Sequence, residues 1–204
     1  MKVLIGCYNK SFILTYIGVM CAVYGMFMTE DISVMMICLI LAGVCDMFDG
    51  FIARRCKRTD KEKQFGIQLD SLCDVVDLLV FPTVILWKTS IQSNFTLPLY
   101  KTLVFLVCVG YIIAGIIRLA WFNITTDGNT KYYQGLPVTF GAFLLPLLYL
   151  GFRSLPVFTY IFPCFYLIIE FLFILNFELI KPGFKMLIAF SVMAILAILA
   201  LIFL

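Results

Sequence analysis

Apolar residues along this chain run in long blocks separated by short polar segments. Four blocks, near 11–28, 32–53, 66–87 and 98–122, are each long enough for a helix to cross a hydrocarbon layer of about 30 Å at about 1.5 Å per residue. Three more follow near 136–152, 155–177 and 184–204; the first is short, and Pro156 and Pro163 disturb the second. The pattern predicts an all-α, polytopic transmembrane helix bundle of about seven spans, a single domain over 1–204.

Composition agrees, since 63% of the 204 residues are hydrophobic and 13% charged, too few polar groups to cover a water-soluble fold of this size. Lys2 is followed by the mixed segment VLIGCYNK and not by a leader with a cleavage site, so the N-terminus is expected to be retained, with that segment a candidate for an interfacial turn of helix. The eight cysteines lie mostly inside apolar runs with no CxxC pair, and there is no histidine, which argues against zinc and haem and for thiols acting as small hydrophobes.

Basic residues orient the bundle. With the N-terminus inside, eleven lysines and arginines fall in cytoplasmic segments, six of them between Arg54 and Lys63, against Lys88, Lys101 and Arg153 outside. The basic loop at 54–63 also suits anionic headgroups. Without aromatic interleaving or a binding module it gives no reason to expect nucleic acid.

Chemistry concentrates within 40–80. The second span ends CDMFDGFIARR and the third begins FGIQLDSLCDVVD, so Asp46, Asp49, Asp70, Asp74 and Asp77 gather at adjoining helix ends, where each intramembrane carboxylate costs about 2.5–3.5 kcal/mol on insertion. Helical spacing puts Asp46, Asp49, Gly50 and Ala53 on one face and Gly66, Asp70 and Asp74 on another. Two antiparallel neighbours joined by a short loop let the four carboxylates converge. Such a group needs hard cations with oxygen ligands, Mg²⁺ or Mn²⁺ and most simply two of them, which suits phosphoryl chemistry. Gly50, Ala53 and Gly66 leave room for a nucleotide, and Arg54 stands at the helix end to bind phosphate. Asp77 only extends the polar face and stays outside the predicted site.

At these residues the chain resembles the CDP-alcohol phosphotransferases, whose signature is D-x-x-D-G-x-x-A-R, a spacer of usually eight residues, then G-x-x-x-D-x-x-x-D. Asp46, Asp49, Gly50, Ala53, Arg54, Gly66, Asp70 and Asp74 fill every fixed position; the departure is a spacer of eleven residues between Arg54 and Gly66. The resemblance implies metal ligation by Asp46, Asp49, Asp70 and Asp74, with Asp74 also the general base, and a CDP site formed by Asp49, Gly50, Ala53, Arg54 and Gly66. It also implies a core of six helices and a homodimer.

The segment RLAWFNITTDGNTKYYQGLPVTFGA, the DSLCD form of the third-span motif and MFDGFIAR are similar to the phosphatidylserine synthase branch, which implies CDP-diacylglycerol and serine as substrates. Arg118, inside the fourth span, either snorkels or faces the aspartates with Asn123 to hold the lipid phosphate or the acceptor carboxylate. Lys131 is a further candidate for that role. Glu170, deep in the sixth span, pairs with a polar group or marks a helix contact. Glycerol 3-phosphate or inositol phosphate as acceptor would call for a dedicated basic cluster. A cation transporter would call for inverted repeats or carboxylates spread through the membrane depth, and neither pattern is apparent.

Overall fold

The structure, a computed structural model, describes residues 5–92, 97–125, 132–180 and 183–203. A 3-10 turn, Lys10–Phe12, leads into α1 (Ile13–Phe27), followed by α2 (Ile32–Arg55) and α3 (Asp60–Asp74). A π-helical turn, Val75–Val80, continues α3 into α4 (Phe81–Gln92). Then come α5 (Pro98–Thr125), α6 (Thr139–Phe152), α7 (Phe158–Ile174) and α8 (Phe184–Phe203). The helical expectation holds, with one addition: strands β1 (Tyr132–Gln134) and β2 (Glu178–Ile180) pair antiparallel.

Local sequence sets most boundaries. Asp31 caps α2, its Oδ1 accepting from the Ser33 N–H at 2.8 Å. Thr59 and Glu62 form a capping box, so α3 begins at Asp60 and not at residue 66. The stretch expected as a basic loop is therefore largely helical, and only residues 56–59 connect α2 to α3. Pro137 delays α6 to Thr139, and α7 starts only at Phe158, after Pro156. Both are shorter than expected.

Proline also explains the irregular turns. Pro82 has no N–H and its ring crowds the carbonyl four residues back, and the chain widens into the π turn just before it, with the Phe81 N–H donating to Val76 O. Pro163 leaves the carbonyl of Thr159 without its helical donor, and the Tyr100 hydroxyl of α5 donates to it at 2.7 Å.

The central helix is α2, which touches α1, α4, α6 and α8. Met35, Met36, Leu39, Ile40 and Ala42 are buried around its circumference. Close approach by α1 follows from one buried face of Thr15, Gly18, Ala22 and Gly25. At the far end from the carboxylates, Lys88 donates to the carbonyls of Met26 and Thr29 and pairs with Glu30 at 3.0 Å, closing the end of α1.

Four helical stretches, Lys10–Phe27, Ile32–Ala53, Pro98–Thr125 and Met186–Phe203, are long and apolar enough to cross a membrane; α6 and α7 are apolar but shorter. Large side chains such as Met20, Leu196 and Phe203 stand outward on the bundle. An apolar exterior with its helical backbone satisfied internally belongs in lipid, and the chain is an integral membrane protein.

Candidate active site

Enclosure of the α2 end by its neighbours creates a cavity of about 440 Å³ lined by Asp46, Asp49, Gly50, Ala53, Gly66, Asp70 and Asp74. Both helix faces expected from spacing therefore point into one space. Asp49 and Asp74 are 4% and 7% exposed. Ligand oxygens of Asp46, Asp49 and Asp70 lie within 4.8 Å of one another. The carboxyl groups of Asp46 and Asp74 lie within hydrogen-bonding reach of each other, as do those of Asp49 and Asp70.

Four carboxyls gathered in one cavity repel one another unless protons or cations intervene. The donor set is all oxygen, close enough to share an ion and half enclosed, which fits a hard divalent cation. Asp46, Asp49 and Asp70 would hold it, with Asp74 placed alongside.

Hydroxyls from outside the signature hold two of these carboxylates. Thr15 of α1 donates to Asp49 Oδ2 at 2.5 Å, and Thr139, the first residue of α6, donates to Asp46 Oδ2 at 2.6 Å. Sequence reading missed both. The one available signal for Thr15 was its place in the small-residue face of α1; for Thr139 it was only the segment GLPVTFGA.

Arg118, 4% exposed, does not snorkel. It lines the cavity with Asn123, its Nε donates to the Leu136 carbonyl at 3.2 Å, and its guanidinium lies 5.5 Å from the centre of the Phe122 ring. Asn123 exchanges hydrogen bonds with Ser71 of α3, its Nδ2 donating to Ser71 Oγ at 2.8 Å. Tyr133 of β1 also lines the cavity and packs tilted against Phe122, ring centres 5.7 Å apart. The β1–β2 ribbon thus closes this side of the site. Lys131 lies outside the described residues, and the side chain of Arg54 is not among those described.

Two acidic residues left without a role sit elsewhere. Asp77, 3% exposed, is in the π turn beside Gly18 of α1, and its Oδ1 has no hydrogen-bond partner among the described residues. Glu170 marks a helix contact: its carboxylate lies over Gly110 of α5, 2.8 Å from where a Cβ would stand.

The CDP-alcohol phosphatidyltransferase family matches residues 9–174. Among curated proteins, the chain is 33% identical over 119 residues to an archaetidylserine synthase of Methanothermobacter thermautotrophicus, a stretch covering 58% of this chain and 47% of that one. It is 37% identical over 105 residues to the CDP-diacylglycerol–serine O-phosphatidyltransferase of Methanocaldococcus jannaschii, covering 52% and 45%. To the protein of that name in Saccharomyces cerevisiae it is 32% identical over 108 residues, covering 48% and 35%. The matched stretch spans less than half the length of each of these relatives.

Proposed function

Because the chain belongs to the CDP-alcohol phosphatidyltransferase family, we propose that it transfers the phosphatidyl group of CDP-diacylglycerol to the hydroxyl of serine, giving phosphatidylserine and CMP. The observation that carries this reading is the convergence of Asp46, Asp49, Asp70 and Asp74 on one cavity bordered by Gly50, Ala53 and Gly66.

Each residue has a task. Asp46, Asp49 and Asp70 would hold divalent cations, Mg²⁺ or Mn²⁺ and two in number, with Asp74 sharing the second; such cations would supply positive charge against the phosphate oxygens. Asp49, Gly50, Ala53, Arg54 and Gly66 receive the CDP moiety. Asp74 takes the proton from the serine hydroxyl as that oxygen forms its bond to the phosphatidyl phosphorus. The bond from phosphorus to the CMP oxygen breaks, and CMP leaves with the electron pair. Thr15 and Thr139 keep two carboxylates aimed during this exchange.

Serine as acceptor is supported by the relatives' names and by the part of the cavity wall that α5 supplies. There Arg118 offers one buried guanidinium and Asn123 an amide, a match for one carboxylate rather than for the doubly charged phosphate of glycerol 3-phosphate. The reading includes Lys131 as a further cation for the acceptor or lipid phosphate. It also includes a homodimer, carried by family resemblance, and an active site on the cytoplasmic face, carried by the distribution of basic residues.

The test is CMP release by the purified protein from CDP-diacylglycerol, with serine, glycerol 3-phosphate and inositol phosphate offered singly. Release should require serine, stop with EDTA and return with Mn²⁺ or Mg²⁺. Release driven by another acceptor discards serine, and metal-independent release discards the role of the carboxylates.

A further inference from the structure

Two buried polar atoms, Ser11 Oγ and Arg58 Nε, have no hydrogen-bond partner among the described residues. Both residues line the cavity. Ser11 is 2% exposed, and its backbone N–H already donates to the Asn9 side chain at 3.1 Å, so its hydroxyl is the uncommitted group. Phe12 packs on Phe65 with ring centres 5.9 Å apart, holding this turn down on α3. Arg58 belongs to the short connector between α2 and α3, yet it turns inward: its Nη1 lies 3.2 Å from where a Cβ on Gly66 would stand. A hydroxyl and a guanidinium N–H withdrawn from water without acceptors are unfavourable until a ligand supplies them.

We propose that Ser11 and Arg58 read the pyrimidine of the nucleotide leaving group and select cytosine over uracil. The proposal rests on the transferase reading above. With a diphosphate at Asp46, Asp49 and Asp70, the nucleoside extends outward by roughly 6 Å, the four-residue step along α3 from Asp70 to Gly66. It passes Gly50, where a Cβ would meet nothing within 4 Å, and reaches Arg58 beside Gly66. Cytosine presents N3 and O2 as adjacent acceptors, and the parallel N–H groups of a guanidinium match them. Uracil places an N–H at position 3, donor against donor. A hydroxyl accepts from the cytosine amino group as readily as it donates to a ring acceptor. Arg58 lies in the spacer between Arg54 and Gly66, eleven residues where the family pattern usually has eight, so this contact falls outside the shared signature.

The experiment is calorimetric titration of CMP and of UMP into the full chain with Mn²⁺ present, for wild type, Arg58→Gln, Arg58→Lys and Ser11→Ala. The two nucleotides share ribose and phosphate, so only the base differs. Wild type should prefer CMP; both Arg58 variants should lose roughly tenfold in CMP affinity with UMP little changed, and Ser11→Ala should lose several-fold. Retained UMP binding reports that the variants are folded. Equal loss for both nucleotides, or recovery in Arg58→Lys, would mark a bare phosphate contact and overturn base reading. An unchanged CMP preference in all variants overturns it too, while leaving the transferase reading intact. If wild type binds neither nucleotide, both readings fall together.

Discussion

Thr139 Oγ1 donates to Asp46 Oδ2 at 2.6 Å, joining residues 93 positions apart. The bond fixes the start of α6 against the end of α2 and commits one oxygen of a carboxylate that crowding would otherwise turn away. Thr15 treats Asp49 the same way from the opposite flank. In each case a hydroxyl from another helix takes one oxygen of a carboxylate proposed to hold a cation.

Thr139→Val keeps size and removes the hydroxyl, so it should weaken Mn²⁺ binding by about tenfold, with turnover falling in parallel at limiting metal. Thr139→Ser should restore most of it. Electron paramagnetic resonance titration of Mn²⁺ reads this without any turnover, and a Val variant that binds like wild type would reduce Thr139 to packing.

Asp74 lines the cavity but lies outside the trio whose oxygens fall within 4.8 Å of one another. Asp74→Asn preserves shape while removing the proposed base. Turnover should drop by about 10²- to 10⁴-fold, with the unfolding midpoint near that of wild type and CMP binding changed by only a few-fold. Turnover within a few-fold of wild type would assign the proton to another group.

The carboxylate face was legible because it obeys helical spacing: Asp46, Asp49, Asp70 and Asp74 keep their phase whatever surrounds them, and the structure brings all four to one cavity. Helix order was legible from apolar block length. Contacts made across the bundle were not. Thr139 is an ordinary hydroxyl after a proline in sequence, and only the antiparallel return of α6 along α2 brings it to Asp46. The π turn before Pro82 and the three-residue pairing of β1 with β2 also depend on tertiary partners, because neither segment carries a pattern long enough to announce itself. Arg58 looked like one more cation in a basic loop, since its inward turn depends on the absent side chain at Gly66.

Arg118 and Asn123 line the cavity from α5, whereas Gly50 and Gly66 line it from α2 and α3. Arg118→Ala should therefore raise the serine KM by about tenfold or more, as expected for losing a charge-assisted hydrogen bond. CMP affinity should stay within about twofold. A CMP loss as large as the serine loss would place the nucleotide on this wall and reverse the proposed orientation of the two substrates.

Gly135 provides the stringent test of how the ribbon supports the site. Its φ of +72° suits glycine, and an added Cβ would stand 2.8 Å from the Phe173 carbonyl and 3.1 Å from that of Leu175, both backbone atoms unable to swing aside. The next residue, Leu136, supplies the carbonyl that holds Arg118 Nε. Gly135→Ala should lower stability by about 1–3 kcal/mol, seen as a depressed thermal midpoint, and should raise the serine KM through a displaced Arg118. Gly151→Ala is the matched control, since a Cβ there would meet nothing within 4 Å. A Gly135 variant with wild-type midpoint but a raised serine KM would show the ribbon acting on Arg118 alone; a lowered midpoint with unchanged KM would separate the ribbon from the acceptor wall.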